Sequence, residues 1–425
     1  MGGSAWGPAH RYAPAVRPYG PDSPWRFEPG LTYLTHGTFG ATPVPVLEAQ
    51  RALIDELEAD PIQILYREYE DRLDAARLEV AGFVGADPEG VVIVPNATTG
   101  VSTVLRSLRI RPGDELLTTD HEYNAVLNAI ALVAEDAKAR VVRARIPLPI
   151  RHPEEVVEAL IAAVTPRTRL AIVSHVTSPT GLVFPIETIV RELDRLGVDT
   201  LVDAAHAPGQ VPVHVDALGA AYWTANGHKW LCGPKVSGVL AIRADRRQGI
   251  RPLVTSHGWN DQREERHPLW REFDWQGTSD PTPFLALPMA IRLVGSLDPG
   301  GWPGVMAANR DLALDARRRL QDLFAVDPIA PESMVGSMPA IRLPALASEE
   351  AAQELMRALH DEARIEVALP EWPVRGARER VTDAPLHILM RVSAQRYNDP
   401  SDIDRLVEAL ASRPVATRAS AIVSG

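Results

Sequence analysis

Between residues 88 and 245 the apolar positions fall into short continuous runs rather than long alternating ones. Runs rich in Val, Ile and Leu, three to seven residues long, suit strands covered on both faces, and they predict strands at Val91–Val94, Glu115–Thr118, Arg140–Ile146, Leu170–His175, Thr200–Val202, Ala221–Thr224 and Gly238–Ile242. The stretches between them carry helical spacing at Thr99–Leu108, Asn124–Ala137, Glu154–Val164 and Ile186–Leu196. This alternation predicts an α/β layer architecture. Upstream, a short strand from Leu31 runs into a Gly-punctuated loop, followed by helices over Val44–Glu58 and Tyr66–Val84, the second with Leu73, Ala76, Leu78 and Phe83 toward the core. Downstream, 245–280 reads as irregular, charged and aromatic, with Trp259, Arg263, Arg266, Trp270, Arg271 and Trp275. A helix near Phe284–Leu297 leads out of this large unit. From 301 the pattern is helix, strand (Ser337–Leu343), helix, strands (Ile365–Leu369 and Leu386–Ser393) and helix (Asp402–Leu410). The expected organisation is a Pro-rich arm over 1–30, a large domain over 31–300 whose 31–60 segment packs with the small domain, a small α/β domain over 301–412, and a tail over 413–425.

Composition narrows the function class. With 425 residues, 45% hydrophobic and 23% charged, the chain has room for two cores. A formal net charge of -11 argues against nucleic-acid binding. One cysteine, Cys232, excludes an intrachain disulfide and a Cys-rich metal site. No apolar run reaches the roughly 18 residues of a membrane span, and the N-terminus lacks the pattern of a secretory signal. These features place the protein in the cytoplasm, with no metal, membrane or nucleic-acid partner.

Lysine is scarce: only Lys138, Lys229 and Lys235 occur. Lys229 stands in Thr224-Ala-Asn-Gly-His-Lys-Trp-Leu-Cys-Gly-Pro-Lys235, after an apolar run, and a desolvated lysine can lose its proton and form an imine where arginine cannot. Read alone, the same residues also suit a surface Gly/Pro loop. Val91-Val-Ile-Val-Pro-Asn-Ala-Thr-Thr-Gly100 is a strand entering a helix, so Ala97, Thr98 and Thr99 suit a phosphate, although, read alone, Thr98 as a plain cap is the simpler account. His175 ends a predicted strand and Tyr123 and Asp203 each follow one, at the edge where open α/β sheets bind ligands. An acid there, Asp203, can keep a heteroaromatic nitrogen protonated.

The ordered motifs Leu34-Thr-His-Gly-Thr-Phe-Gly40, Asn96-Ala-Thr-Thr-Gly100, His175-Val-Thr-Ser-Pro-Thr-Gly181, Val202-Asp-Ala-Ala-His206, Asn226-Gly-His-Lys-Trp230, Gly277-Thr-Ser-Asp280 and Arg391-Val-Ser393 span nearly the whole chain. Through them the sequence resembles the fold-type I pyridoxal-phosphate enzymes of the class V aminotransferase family, within it the isopenicillin N epimerase-like branch. The resemblance implies a large domain with a mainly parallel seven-stranded sheet between helices, and a smaller C-terminal α/β domain. It implies that Lys229 forms the Schiff base with pyridoxal 5'-phosphate, that Asp203 pairs with the pyridinium nitrogen, and that Tyr123 stacks on the ring. His206 is then expected near the cofactor's phenolic oxygen, and His175, also expected to bind the cofactor, stands where many members carry asparagine. Thr98, Thr99, Asn226 and His228 are expected to hold the phosphate, Thr278 to complete that cup across a homodimer, and His36, Gly37 and Arg391 to bind the amino-acid substrate, Arg391 as a fork on the α-carboxylate.

The segment Pro370–Pro385 contains no cysteine, so the persulfide-forming nucleophile of the cysteine desulfurases is missing. Elimination across Cα–Cβ needs one base and a leaving group, whereas epimerisation needs proton exchange on both faces. The expected activity is therefore a C–S β-lyase acting on a cysteine S-conjugate in sulfur or secondary metabolism. An epimerase, a decarboxylating oxidative deaminase and an aminotransferase are the alternatives; a non-catalytic scaffold is disfavoured by the joint retention of lysine, acid and phosphate cup.

Overall fold

The computed structural model describes residues 23–346, 348–373 and 386–413. The Pro-rich arm up to residue 22, most of the segment before Arg391 and the tail from 414 lie outside the described residues.

The strands in chain order are β1 (Thr32–Tyr33), β2 (Val91–Val94), β3 (Glu115–Thr119), β4 (Arg140–Ala144), β5 (Thr168–Ser174), β6 (Asp199–Asp203), β7 (Tyr222–Asn226), β8 (Gly238–Ile242), β9 (Ala340–Arg342), β10 (Ile365–Glu366), β11 (Glu371–Trp372) and β12 (His387–Arg391). Seven of them form one sheet in the order β2-β8-β7-β6-β5-β3-β4. The pairings β4–β3, β3–β5, β5–β6 and β6–β7 are parallel, while β8 runs antiparallel to both β7 and β2. It follows that β2, β3, β5, β6 and β7 all point the same way.

The side-chain period of two explains why the strands read as unbroken apolar runs. Leu116, Leu170, Ile172, Leu201 and Leu240 enter the core on one face. Their neighbours Leu117, Ala171, Val173, Val202 and Val239 enter the core on the other. Helices cover both faces, so neither register position is free to be polar.

The C-terminal part builds a three-stranded antiparallel sheet, β11-β12-β9, beside the helices Gly301–Phe324, Glu349–Ala363 and Pro400–Ala411. β1 pairs in parallel with β10, tying the start of the described chain to this part. No helix among the described residues is long and apolar enough to cross a membrane, and no group of metal-ligating side chains occurs among them.

Three local expectations change. A π-turn over Gln63–Arg67 precedes the helix Tyr69–Val84, and Leu78 of that helix is exposed. Arg77 takes the buried stripe instead, because its guanidinium bonds Asp74 and Asp274 and lies 4.1 Å from the ring centre of Trp270. The charged 255–275 stretch is partly ordered as the turn His257–Asn260 and the helix Pro268–Asp274. Arg266 joins the same buried cluster through Asp74 and Asp274. The expected helix Phe284–Leu297 is split into Thr282–Leu285 and Leu287–Gly295, with Pro288 opening the second piece.

Candidate active site

Parallel strands deliver their C-terminal ends to one edge, and five of them carry the polar motifs there. β2 leads into Asn96–Gly100, β3 into Asp120–Tyr123, β5 into His175, β6 into Asp203–His206 and β7 into Asn226–Lys229.

Lys229 is held by a tight loop. Gly227 N–H donates to the Ser237 carbonyl at 2.5 Å and Cys232 N–H to the Lys229 carbonyl at 2.9 Å. The 34–40 loop presses on it from outside: a Cβ on Gly40 would stand 2.1 Å from the His228 carbonyl oxygen, so only glycine fits. Lys229 Nζ lies 3.0 Å from His206 Nε2. Trp230 Nε1 donates to His206 Nδ1 at 3.4 Å, which leaves the imidazole proton on Nε2, directed at the amine. Packing strips water from the ammonium and pulls the lysine pKa down to about 7, against the attraction of Asp203 and with a smaller push from Arg391. His206 stays neutral, chiefly through burial.

Asp203 is buried and accepts from Ala205 N–H at 2.9 Å. The preceding loop supplies a second buried acid, Glu122, whose Oε1 accepts from Ser174 Oγ at 2.6 Å and from Tyr123 N–H at 2.8 Å. Burial is the main cause that raises both carboxyls, and the charge of Asp203 adds to the effect on Glu122. Tyr123 itself is 45% exposed, at the N-cap of the helix Asn124–Ala137.

At the start of the helix Ala97–Ser107, Asn96 Oδ1 accepts from Thr99 N–H at 2.9 Å and Asn226 Oδ1 accepts from Ala97 N–H at 2.9 Å. Both flanking amides are thus capped from within the chain. Thr98, between them, is exposed, with a backbone N–H that neither cap engages. His228 Nδ1 is buried without a partner, as is His175 Nδ1.

Arg391, from β12, is buried among polar partners. One guanidinium nitrogen donates to the Ser178 carbonyl and another to Thr38 Oγ1 at 2.7 Å, and Nε is buried without a partner. Burial lowers its pKa to about 10, which leaves it cationic.

Two expected substrate contacts move elsewhere. His36 is fully buried behind the lysine: Nε2 is 3.0 Å from the Lys229 carbonyl and Nδ1 is 2.9 Å from Tyr397 Oη. It braces the lysine backbone instead of reaching substrate. Gly37 donates its N–H to Ser393 Oγ at 3.1 Å, and a Cβ there would meet Met338 Sδ at 2.3 Å, so it is a close-packing position. Thr38, next in the chain, is the residue that touches Arg391. Thr278 is exposed, following Gly277 at φ +107°. Glu122, Ser174 and Ser178 belong to the site region and were not singled out by the sequence, where each reads as an ordinary loop or strand-end polar residue.

A family model described as "Aminotransferase class-V" matches residues 33–406. The isopenicillin N epimerase of Amycolatopsis lactamdurans is 35% identical over 90% of this chain and 95% of its own length. An L-cysteine desulfhydrase of Arabidopsis thaliana is 28% identical over 90% of this chain and 87% of its own. A cystine C–S lyase structure in complex with cysteine persulfide superposes with a TM-score of 0.74, at 24% identity, covering 90% of this chain and 98% of that one.

The residues present fit the cofactor that goes with this fold. The desolvated lysine supplies the amine, the buried Asp203 a partner for a ring nitrogen, and Thr98 with the orphaned His228 Nδ1 a site for phosphate oxygens.

Proposed function

The chain belongs to the class V aminotransferase family, whose cofactor is pyridoxal 5'-phosphate, and on that premise we propose that it is a lyase cleaving the Cβ–S bond of a cysteine S-conjugate. The products are a thiol, ammonia and pyruvate. When bound, the cofactor acidifies the substrate Cα–H by drawing the electron pair toward its protonated ring.

The chain's own groups divide the remaining work. Arg391 holds the α-carboxylate with a guanidinium oriented by Thr38 and Ser178. Asp203 would keep the ring nitrogen protonated, and Thr98, Asn226 and His228 would hold the phosphate, with Thr99 N–H bonded to Asn96 Oδ1 in the first turn of the helix. Lys229 Nζ removes the proton from Cα, its neutral form favoured by burial and by the His206 Nε2–H. Tyr123, at the N-cap of the helix Asn124–Ala137, would offer its aromatic face to the ring.

The observation that carries this reading is the placement of the acid–base groups. Lys229 Nζ stands at the strand edge, 3.0 Å from His206 Nε2, while His36, His121 and Glu122 are all fully buried. One-base chemistry favours elimination. The likeness to a protein named L-cysteine desulfhydrase supports the same class. Cys232 is buried and burial pushes its thiol up, so it does not serve as a persulfide-forming nucleophile.

A second reading, amino-acid epimerisation, draws on the 35% identity to isopenicillin N epimerase and requires Tyr123 to exchange a proton on the far face. We also infer a homodimer in which Thr278 reaches the partner's phosphate cup. The exposed Ile62 and Tyr66 on the turn beside the long N-terminal helix support such a contact.

Incubation with S-substituted cysteines in deuterium oxide separates the readings. Thiol and pyruvate in equal amounts support the lyase. Deuterium at Cα with inversion and no cleavage supports the epimerase. Oxygen uptake with an aldehyde product, or conversion of the cofactor to its amine form, sinks both.

A further inference from the structure

Glu122 is the buried ionisable group that the reading above leaves without work. Its carboxyl is sealed at 0% exposure. Oε1 takes two hydrogen bonds, from Ser174 Oγ and Tyr123 N–H, while Oε2 is buried with no partner. Ser174 is the register neighbour of Asp203 across the β5–β6 pair, so the carboxyl lies one strand from the acid that faces the cofactor ring. A buried carboxylate with one bare oxygen is strongly disfavoured, and a protonated carboxylic acid there is not.

Hydrogen bonds from the Ser174 hydroxyl and from the Tyr123 and Ser174 backbone favour a charge on it, and burial outweighs them. β6 contributes Asp203, a like charge, and β7 contributes Lys229 beyond it, whose attraction is directed at Asp203. From β5 come the Ser174 hydroxyl and its backbone. His121, beside it in the chain, is kept neutral by burial and bonds Thr180 Oγ1 at 2.8 Å.

We propose that Glu122 is a neutral carboxylic acid that confines the negative charge of the carboxyl pair to Asp203, and thereby fixes how firmly the cofactor's ring nitrogen stays protonated. It is a positioning residue acting through Asp203, and the proposal rests on the pairing of Asp203 with that nitrogen. Burial and the Asp203 charge hold the Glu122 proton on past neutrality, and the Ser174 hydrogen bond works against them. When the proton does leave on the alkaline side, a second negative charge appears beside the ring and the cofactor's absorption responds.

The test is a pH titration of the visible absorption of the cofactor-loaded protein, wild type against E122Q, S174A and D203N. Wild type should show an alkaline inflection besides that of the lysine–cofactor bond. E122Q, which is permanently neutral, should keep its cofactor at pH 7 and lose that inflection. S174A, which removes the bond favouring the ionised form, should move it to higher pH. An inflection retained in E122Q, or cofactor lost from folded E122Q at pH 7, overturns the proposal. Should E122Q fail to fold, an inflection unmoved in S174A overturns it equally. D203N addresses the underlying pairing separately: undiminished cofactor retention there refutes the role of Asp203 and leaves the protonation of Glu122 to the other two variants.

Discussion

Lys229 Nζ sits 3.0 Å from His206 Nε2, and the indole of Trp230 occupies the other ring nitrogen of the same histidine. The tautomer this enforces makes His206 a donor to the neutral amine. Losing one such bond costs about 1 kcal/mol, or roughly one pH unit of lysine basicity. H206A should therefore raise, by about that unit, the midpoint pH at which cofactor-free protein captures pyridoxal phosphate. An unmoved midpoint contradicts the arrangement.

Burial of Lys229 also writes itself into stability. Its folded pKa is lowered to about 7, below the ordinary lysine value. From about 7 up to the lysine range of about 10.4, the unfolded chain holds a proton the native chain has released, so stability must rise with pH there. Below that window both states are protonated and the full penalty of a desolvated ammonium remains. Urea unfolding of cofactor-free protein should give a steeper rise in wild type than in K229M. Equal slopes would exclude a depressed lysine.

Arg391 is prepared as a fork by Thr38 and Ser178, and lysine cannot reproduce two parallel bonds to a carboxylate. R391K should raise KM for the amino-acid substrate by about 10- to 100-fold, the loss of one charge-assisted hydrogen bond. A decarboxylated amine analogue should bind both forms alike. Equal KM values for the amino acid in the two proteins would remove Arg391 from the substrate site.

The cluster of Arg77, Arg266, Asp74 and Asp274 around Trp270 pins the helix Pro268–Asp274 to the helix Tyr69–Val84. Asp274, like Asp74, is bonded to both arginines, and it is the buried one of the two. D274A leaves two buried guanidinium groups under-paired and should cost about 3–5 kcal/mol in urea unfolding. A loss under about 1 kcal/mol would mark the network as solvated, in the manner of a surface ion pair.

The central sheet was legible because its strands are buried on both faces, which leaves Val, Ile and Leu in runs that no surface strand carries. Helix starts read less well: Asn96 caps a helix that begins at Ala97, two residues before the expected start at Thr99, a detail that depends on where its side chain turns. Leu78 is exposed where the spacing suggested a core position, and Arg77 is buried because two of its partners, Asp274 and Trp270, lie nearly 200 positions away in a segment that looked irregular. In the site, the rarity of lysine pointed to Lys229, and the clustering of polar residues after strands pointed to Asp203. His36 misled, since its motif lies beside the lysine in space while its ring faces inward toward Tyr397. Glu122 was invisible because one neighbour in sequence, Tyr123, is exposed and the other, His121, is buried. Nothing in the residue types says which way the chain turns between them.

The most direct measurement is borohydride reduction of the purified protein followed by mass mapping, with K229A alongside. A pyridoxyl adduct on Lys229, with loss of the visible absorption and of turnover in K229A, is the predicted result. Label on Lys235 or Lys138, or a coloured and active K229A, would contradict it.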